Sequence, residues 1–377
     1  MNRIKILHCA DIHIGAAESF LGAAAAERRF ETVMTFERII DAAKENEVSV
    51  IAIAGDLFDS NAAESGLTAP VFEKIASVPG IKVVFAAGNH DPLSAESPFL
   101  SAKLPGNLYV LPPKDACIVF EELKFRVYGK SFENVYMQGA EAFSLTPPDD
   151  DFINLMVLHG ELRSDLGSPY NSVTPEFIKS SGMDYIALGH IHKRTETAKL
   201  KNTCFAYCGC PEGQGFDETG EKGVYIGEIG KGFCELEFVP MSKRQHVCIK
   251  TDVSGLRSAS EVSAKILDGL KAVCGDGYRD NLYKIELTGG LPEDTRLNLT
   301  EITGRVSEEV YYAKIKDCTE TETDLQELSG EASLKGIFVK NMLRRIENAG
   351  EAERQELEYA LKLGLKAFGS EVAYSED

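Results

Sequence analysis

Short apolar, β-branched runs alternate with stretches of helical periodicity over the first 240 residues, the pattern of a layered α/β architecture. Ile4 to Leu7, Val48 to Ala54, Ile81 to Ala87, Ile153 to Leu158 and Tyr185 to Leu188 are apolar runs of strand length. Their near-continuous hydrophobicity suits strands buried on both faces. Between the first two, Phe30, Val33, Met34, Ile40 and Ala43 recur at a spacing that predicts one apolar helix face. A helix between two buried strands favours a parallel pair joined by a right-handed crossover. Cys117 to Tyr128, Cys204 to Tyr207, Val224 to Ile229 and Phe233 to Phe238 read as antiparallel strands joined by Gly-rich turns. The expected product is two packed sheets flanked by helices.

Around Pro240 to Gln245 the pattern resets. Strands over His246 to Val253, Tyr283 to Leu287 and Val310 to Ile315, with a helix over Ala259 to Val273, predict a small α+β domain spanning 246–320, behind a first domain of 1–240. From Glu331 onward Gly and Pro become scarce. Leu334, Ile337, Phe338, Met342, Leu343 and Ile346 predict an amphipathic helix stopped by Asn348-Ala349-Gly350, and Leu357, Ala360, Leu361 and Leu365 a second one, giving a helical segment over 331–369. A chain of 377 residues exceeds what one core usually carries, in agreement with this division.

Composition narrows the class. Hydrophobic residues at 44% and charged residues at 26% exclude a disordered or collagenous chain. No apolar run approaches the roughly 18 residues that span a bilayer, so no membrane role is expected. The opening MNRIKILHCADIH reaches charge too soon for a secretory signal, and nine cysteines without CxxC pairs suggest reduced thiols in the cytoplasm. A formal net charge of −19 excludes a whole-molecule basic field for nucleic acid. A polyanion must then be gripped locally, where bound divalent cations cancel part of the deficit.

Five motifs each follow an expected strand: Asp11-Ile12-His13, Gly55-Asp56, Gly88-Asn89-His90-Asp91, His159-Gly160 and Gly189-His190-Ile191-His192. They hold five of the seven histidines. Each alone is a weak signal, since Asp commonly begins turns and a lone His is usually structural. Strand ends in an open α/β sheet, however, share one edge, where ligands bind. Imidazole with carboxylate suits Mn, Fe or Zn better than Mg or Ca. So many ligands point to two ions, about 3.5 to 4 Å apart, bridged most naturally by Asp56. Such a pair readies water as hydroxide and clamps phosphoryl oxygens, while His90 is placed to protonate the leaving oxygen.

The order DxH, GD, GNHD, H, GHxH is similar to the calcineurin-like metallophosphoesterases over about the first 195 residues. Ile6 to His13, Ala54-Gly55-Asp56-Leu57-Phe58-Asp59-Ser60 and Met183 to Lys193 resemble the SbcD-type DNA repair exonucleases, and Gly209 to Gly223 resembles their YhaO-like bacterial branch. The resemblance implies a four-layer α/β/β/α metallophosphoesterase sandwich with a small α+β cap domain and C-terminal helices. It implies one metal on Asp11, His13, Asp56 and His192 and a second on Asp56, Asn89, His159 and His190, most expectedly Mn, with Fe or Zn as alternatives. His90 would be the general acid and Asp59 would orient it, although Asp59 is equally read as a helix-start or turn residue.

Further readings follow from that likeness. Arg163, Lys193 and Arg194 are candidate contacts to backbone phosphates, and Tyr170 and Phe216 to bases, against the plainer readings of solvated charges and loop aromatics. Gln214-Gly215-Phe216-Asp217-Glu218-Thr219-Gly220 reads first as turn chemistry, and Cys204, Cys208 and Cys210 as buried small side chains. Residues 246–320 would cap the site over DNA. The C-terminal helices would dock on an SbcC-type coiled-coil ABC ATPase, or serve only as intramolecular core, and a homodimer is a further expectation. The leading function is a metal-dependent DNA phosphodiesterase, an exonuclease. The alternatives are a phosphomonoesterase or nucleotidase with the same dimetal site, and a noncatalytic DNA-end or ATPase-binding subunit.

Overall fold

The computed structural model describes residues 2–16, 18–61, 65–137, 143–292, 294–322 and 324–368; residue 369, the end of the expected helical segment, lies outside them. The chain opens with β1 (Arg3–Cys9), β2 (Val50–Ala54), β3 (Lys82–Ala86) and β4 (Leu108–Val110), interleaved with α1 (Ala25–Glu45), α2 (Ser65–Ala76) and α3 (Pro98–Ser101). A hairpin of β5 (Ala116–Phe120) and β6 (Phe125–Gly129) follows, then β7 (Ile153–His159). Next come the short parallel pair β8 (Glu161–Leu162) and β9 (Ser172–Val173), α4 (Pro175–Ser180) and β10 (Tyr185–Gly189). After β11 (Ala198–Leu200) and β12 (Thr203–Tyr207), β13 (Gly223–Gly230) and β14 (Phe233–Pro240) form a long hairpin.

These strands make two six-stranded sheets, in the orders β14-β13-β1-β2-β3-β4 and β11-β12-β10-β7-β6-β5. Strands β1 to β4 run parallel, as do β6, β7, β10 and β12. Ile6, Val50, Ala52 and Val84 of one sheet meet Val127, Leu155, Val157 and Ala187 of the other in a shared apolar layer. On the outer face of the first sheet pack α1 and α2, through Phe36, Ile40, Val71 and Ile75. Ile178 of α4 joins Met156, Leu158 and Ile186 on the outer face of the second. This is the expected four-layer α/β/β/α sandwich. At one end the sheets approach so closely that a Cβ on Gly189 would strike the carbonyl of Ala54 and the side chain of Ala10.

Three local expectations need correction. Cys204 to Tyr207 is antiparallel only to β11; against β10 it runs parallel, because β11 turns back at Lys201, which has φ 57°. The stretch from Cys117 to Tyr128 is a hairpin broken by a 3-10 turn at Glu121–Leu123. Phe30 and Met34 are 58% and 38% exposed. The buried face of α1 is Val33, Phe36, Ile39, Ile40 and Ala43, and its first turns instead bury Arg28, Glu31, Thr32 and Thr35 among polar partners.

The described chain divides into two compact units. The first comprises the residues up to Ile249 with Cys274–Lys284 and Glu309–Lys314, and the second comprises Lys250–Val273, Ile285–Glu308 and the described residues from Ile315 on. Strands β15 (His246–Asp252), β16 (Leu282–Thr288) and β18 (Tyr312–Asp317) form a three-stranded sheet in that order; β17 (Gly290–Leu291) and β19 (Glu320–Thr321) pair separately. The second unit buries Val262, Ile266 and Leu270 of α5 (Ala259–Cys274) and Ile302 and Val306 of α6 (Leu299–Ser307). Its C-terminal part is α7 (Leu325–Gly330), α8 (Leu334–Asn348) and α9 (Glu351–Phe368), packed through Leu328, Val339, Met342, Ile346, Leu357 and Leu361. Leu334 and Ile337, expected on the apolar face, are 73% and 56% exposed. No helix among the described residues is long and apolar enough to cross a membrane.

Candidate metal centre

Parallel register gathers the five motifs. Cys9 lies opposite Ile53 and Ala54 opposite Ala86, so the loops after β1, β2 and β3 leave one edge of the first sheet together. His159 lies opposite Gly189 in the second sheet, which brings the His159 and His190 turns side by side. Asp11, His13, Asp56 and His190 all adopt positive φ, at 51°, 48°, 50° and 95°. For residues with a Cβ such backbone costs on the order of 1 kcal/mol each. Four such residues in the loops that converge here mark a place where function, not local propensity, sets the conformation. Gly55, at φ 90°, is required here, since a Cβ would run into the His159 ring.

The side chains converge. Asp11, His13 and His192 each offer a ligand atom within 4.8 Å of the others, and so do Asp11, Asp56 and His159, and His13, Asp56 and His90. Asp56 Oδ2 lies 3.2 Å from His159 Nε2 and 3.8 Å from His13 Nε2. Asn89 Oδ1 lies 2.9 Å from His159 Nε2 and 3.2 Å from His190 Nδ1. His13 Nε2 and His192 Nε2 face one another at 3.1 Å. Asp11, His13, Asp56 and His159 are buried, whereas the His90 side chain is 45% exposed at the rim.

This donor set fits metal ions. His159 Nδ1 donates to the carbonyl of Ala54 at 2.9 Å, so a neutral ring turns a bare Nε2 toward two acceptor oxygens, Asp56 Oδ2 and Asn89 Oδ1. His192 Nδ1 is likewise held by Glu218 Oε1 at 2.5 Å, leaving its Nε2 lone pair against His13. Lone pairs converging without protons between them call for a cation. Without one the carboxylates draw protons instead. Burial pushes the His159 pKa down, but Asp56 and Asp11 outweigh it and raise it to about 9. His190, pressed by burial and by His159, falls to about 4, and burial raises Asp11.

Several supporting contacts are not legible in the sequence, even where the residue itself stands in a quoted motif, as Asp91 does. Asp91, fully buried, accepts from Leu57 N, Phe58 N and Gly88 N at 2.7, 3.1 and 2.8 Å, tying the loops after β2 and β3 together. Burial, reinforced by Asp56, raises its pKa to about 7. Asn171 Nδ2 donates to the His159 carbonyl at 2.8 Å. Glu218 joins His192 and Cys210 in a further cluster. Asp59 reaches both His13 and His90: its carboxylate is 3.3 Å from His13 Nδ1, and its carbonyl accepts from His90 Nδ1 at 3.0 Å.

The other sequence candidates fall differently. Tyr170 lies with its ring 5.0 Å from that of His190. Phe216 is half-buried, 5.8 Å from Phe20 and 5.2 Å from His246. Arg163 pairs with Asp165 at 3.0 Å and Glu161 at 3.4 Å. Lys193 and Arg194 are exposed, the latter with its guanidinium 4.1 Å from the Phe238 ring centre. Cys204, Cys208 and Cys210 are buried, free thiols.

The family model for calcineurin-like phosphoesterases matches residues 4–194, the stretch that carries all five motifs. The chain belongs to that family. Its members are hydrolases of phosphate esters that depend on two metal ions, and the residues gathered here are able to hold them. The chain is 30% identical over 251 residues to the uncharacterized metallophosphoesterase YhaO of Bacillus subtilis, covering 62% of this chain and 60% of that protein. It is 26% identical over 318 residues to the DNA double-strand break repair protein Mre11 of Methanopyrus kandleri, covering 77% and 66%. It therefore spans a little under two thirds of the length of these two relatives. Among solved structures, the calcineurin-like phosphoesterase YfkN of B. subtilis is similar with a TM-score of 0.35 and 13% identity, over 63% of this chain and 89% of that one.

Proposed function

We propose that this protein is a metal-dependent phosphodiesterase that hydrolyses DNA at its ends as a repair exonuclease, with an SbcC-type ATPase as partner. The observation that carries the reading is the convergence of Asp11, His13, Asp56, Asn89, His159, His190 and His192 beneath one exposed histidine, His90. In this proposal Asp11, His13, Asp56 and His192 would hold one divalent ion and Asp56, Asn89, His159 and His190 the other, with Mn the expected metal from the family resemblance and Fe or Zn the alternatives. Bound divalent ions supply positive charge against phosphoryl oxygens and make water nucleophilic at neutral pH.

The remaining chemistry belongs to the chain. His90 Nδ1 must carry a proton, since the Asp59 carbonyl it meets can only accept. With Nδ1 so engaged, Nε2 of the exposed ring is the atom that would pass a proton to the leaving oxygen of a phosphodiester. Relatives named for DNA double-strand break repair support DNA as the substrate, and a net charge of −19 argues that the strand is gripped only near the ions and the exposed Lys193 and Arg194. The residues of 246–320 are proposed to cap the site, and the C-terminal helices to dock the ATPase.

The test is end digestion of DNA by the Mn-loaded protein, alone and with its ATPase. A parallel comparison of bis-p-nitrophenyl phosphate with the mono-ester separates diesterase from monoesterase. Intact DNA ends in both assays, with the mono-ester turned over faster, would replace this reading with the phosphomonoesterase one.

A further inference from the structure

The segment between β12 and β13 forms the turn expected of it, with Glu218 N donating to the Gly215 carbonyl at 3.0 Å. The turn also aims the Glu218 carboxylate at His192, in the loop that follows β10. Oε1 takes the His192 Nδ1 proton at 2.5 Å, and Oε2 is held by Gln214 N at 2.9 Å and the Cys210 thiol at 3.5 Å. Both oxygens are thus fixed, and the side chain is only 17% exposed. His192 is pinned from its backbone as well: its carbonyl accepts from Cys210 N at 3.3 Å and lies 3.5 Å from Lys222 Nζ.

The turn is in its own right anchored to α1. Arg28, 2% exposed, donates to Glu212 Oε2 and to the Gly213 carbonyl, both at 2.9 Å, and to Glu18 Oε1 at 2.7 Å. Glu212 Oε1 also takes Thr35 Oγ1 at 2.5 Å and Lys243 N at 2.8 Å. A rigid, largely buried polar train therefore runs from α1 through Glu212 and Gly213 to Gln214, Glu218 and His192.

We infer that Glu218 is a positioning residue that fixes the ring orientation and tautomer of His192, so that its Nε2 lone pair is presented beside Asp11 and His13 before any ion arrives. The inference rests on the dimetal reading of the site. A carboxylate on the far nitrogen of a ligating imidazole raises its basicity and removes the rotational freedom that binding would otherwise have to freeze. Glu218 touches no reacting atom; it acts through His192.

The experiment is calorimetric titration of the chelator-stripped full chain with Mn(II), with thermal unfolding of the same stripped samples alongside. The wild type is expected to show two binding events. Glu218→Ala is expected to weaken one of them by about 10- to 100-fold and to leave the other unchanged. Glu218→Gln keeps an oxygen acceptor in the same place and is expected to recover most of that loss. Unaltered affinity in Glu218→Ala overturns the inference and leaves the dimetal site standing. So does an equal weakening of both events in both variants together with a lowered unfolding temperature, which is what a merely structural role predicts. A wild-type chain that takes up fewer than two ions overturns the reading of the site itself, and this inference with it.

Discussion

Asp59 turns its carboxylate toward His13 and its carbonyl toward His90. Asp59 Oδ1 stands 3.3 Å from His13 Nδ1 and 3.9 Å from His90 Nδ1, which instead meets the carbonyl oxygen at 3.0 Å. His13 Nδ1 makes no hydrogen bond among the described residues, so its contact with the Asp59 carboxylate is one of charge at close range. One residue thus supports a candidate ligand and the candidate acid through different atoms.

That division is testable. The backbone carbonyl survives substitution, whereas the carboxylate does not. Asp59→Ala is expected to weaken Mn(II) binding by about 10-fold or more through His13, while the His90 ring keeps its carbonyl partner. Titration of the stripped protein with Mn(II) reads this directly. Unchanged affinity with lowered turnover would place the carboxylate's effect on His90 instead.

His90 is exposed at the rim and its ring packs edge-on to that of His13, with centroids 4.7 Å apart. It is not among the residues proposed to hold the ions. His90→Ala is therefore expected to lower hydrolysis of bis-p-nitrophenyl phosphate by about 10²- to 10⁴-fold. Metal content, measured by elemental analysis on the same preparation, should stay at the wild-type level. Wild-type turnover in this variant would favour a noncatalytic DNA-end or ATPase-binding subunit.

What the sequence makes legible here is local. Each motif is two to four residues long and sits directly after an apolar run, so strand ends and chemistry are read from the same few positions. Parallel topology then supplies the convergence of Asp11, Asp56, Asn89, His159 and His190, because β1, β2 and β3 end together in one sheet and β7 and β10 end together in the sheet packed on it. The partners of the supporting residues escape such reading. Asp91 bonds to Leu57 and Glu218 to His192, pairs separated by 34 and 26 positions with no periodic signal to join them. The face of α1 departs from its pattern for a related reason: an apolar side chain such as Phe30 looks like core by type, yet Arg28 and Glu31 are the groups buried there. Buried charge is invisible to a hydrophobic pattern when its partners are as distant as Glu212 and Arg244.

Arg28 offers the clearest stability prediction. It is buried against Glu18, Glu31 and Glu212 at 2.7, 3.2 and 2.9 Å. Removing the guanidinium takes the buried cation from Glu18 and Glu212, whose remaining partners are His246 for the one and Thr35, Arg38 and Lys243 N for the other, a loss that an apolar replacement cannot offset. Arg28→Met is expected to destabilise the first unit by about 3 to 5 kcal/mol, read as a shift in urea unfolding. A loss under about 1 kcal/mol would mean that water reaches the cluster as it does an exposed pair.

His8 supplies the pH prediction. It is fully buried between the sheets, with Nε2 donating to the Leu188 carbonyl at 3.2 Å and Nδ1 accepting from Tyr185 Oη at 2.9 Å. The Tyr185 contact requires a bare Nδ1 and hence the neutral ring, and burial, only partly countered by the Leu188 carbonyl, lowers its pKa from 6.5 to about 3. Between those values the unfolded chain binds a proton that the folded chain refuses, so the contribution of His8 is complete above about pH 6.5 and declines as pH falls. The decline is about 1.4 kcal/mol per pH unit. His8→Gln removes the titrating group. Unfolding free energies of stripped wild type and variant, measured by urea at about pH 6.5 and 5.5, should therefore show the wild type losing about 1 kcal/mol more over that unit than the variant, since the unfolded ring is only half protonated at the upper pH. Parallel losses in the two proteins would mean that the ring is protonated in the fold, with Leu188 and Tyr185 rearranged around it.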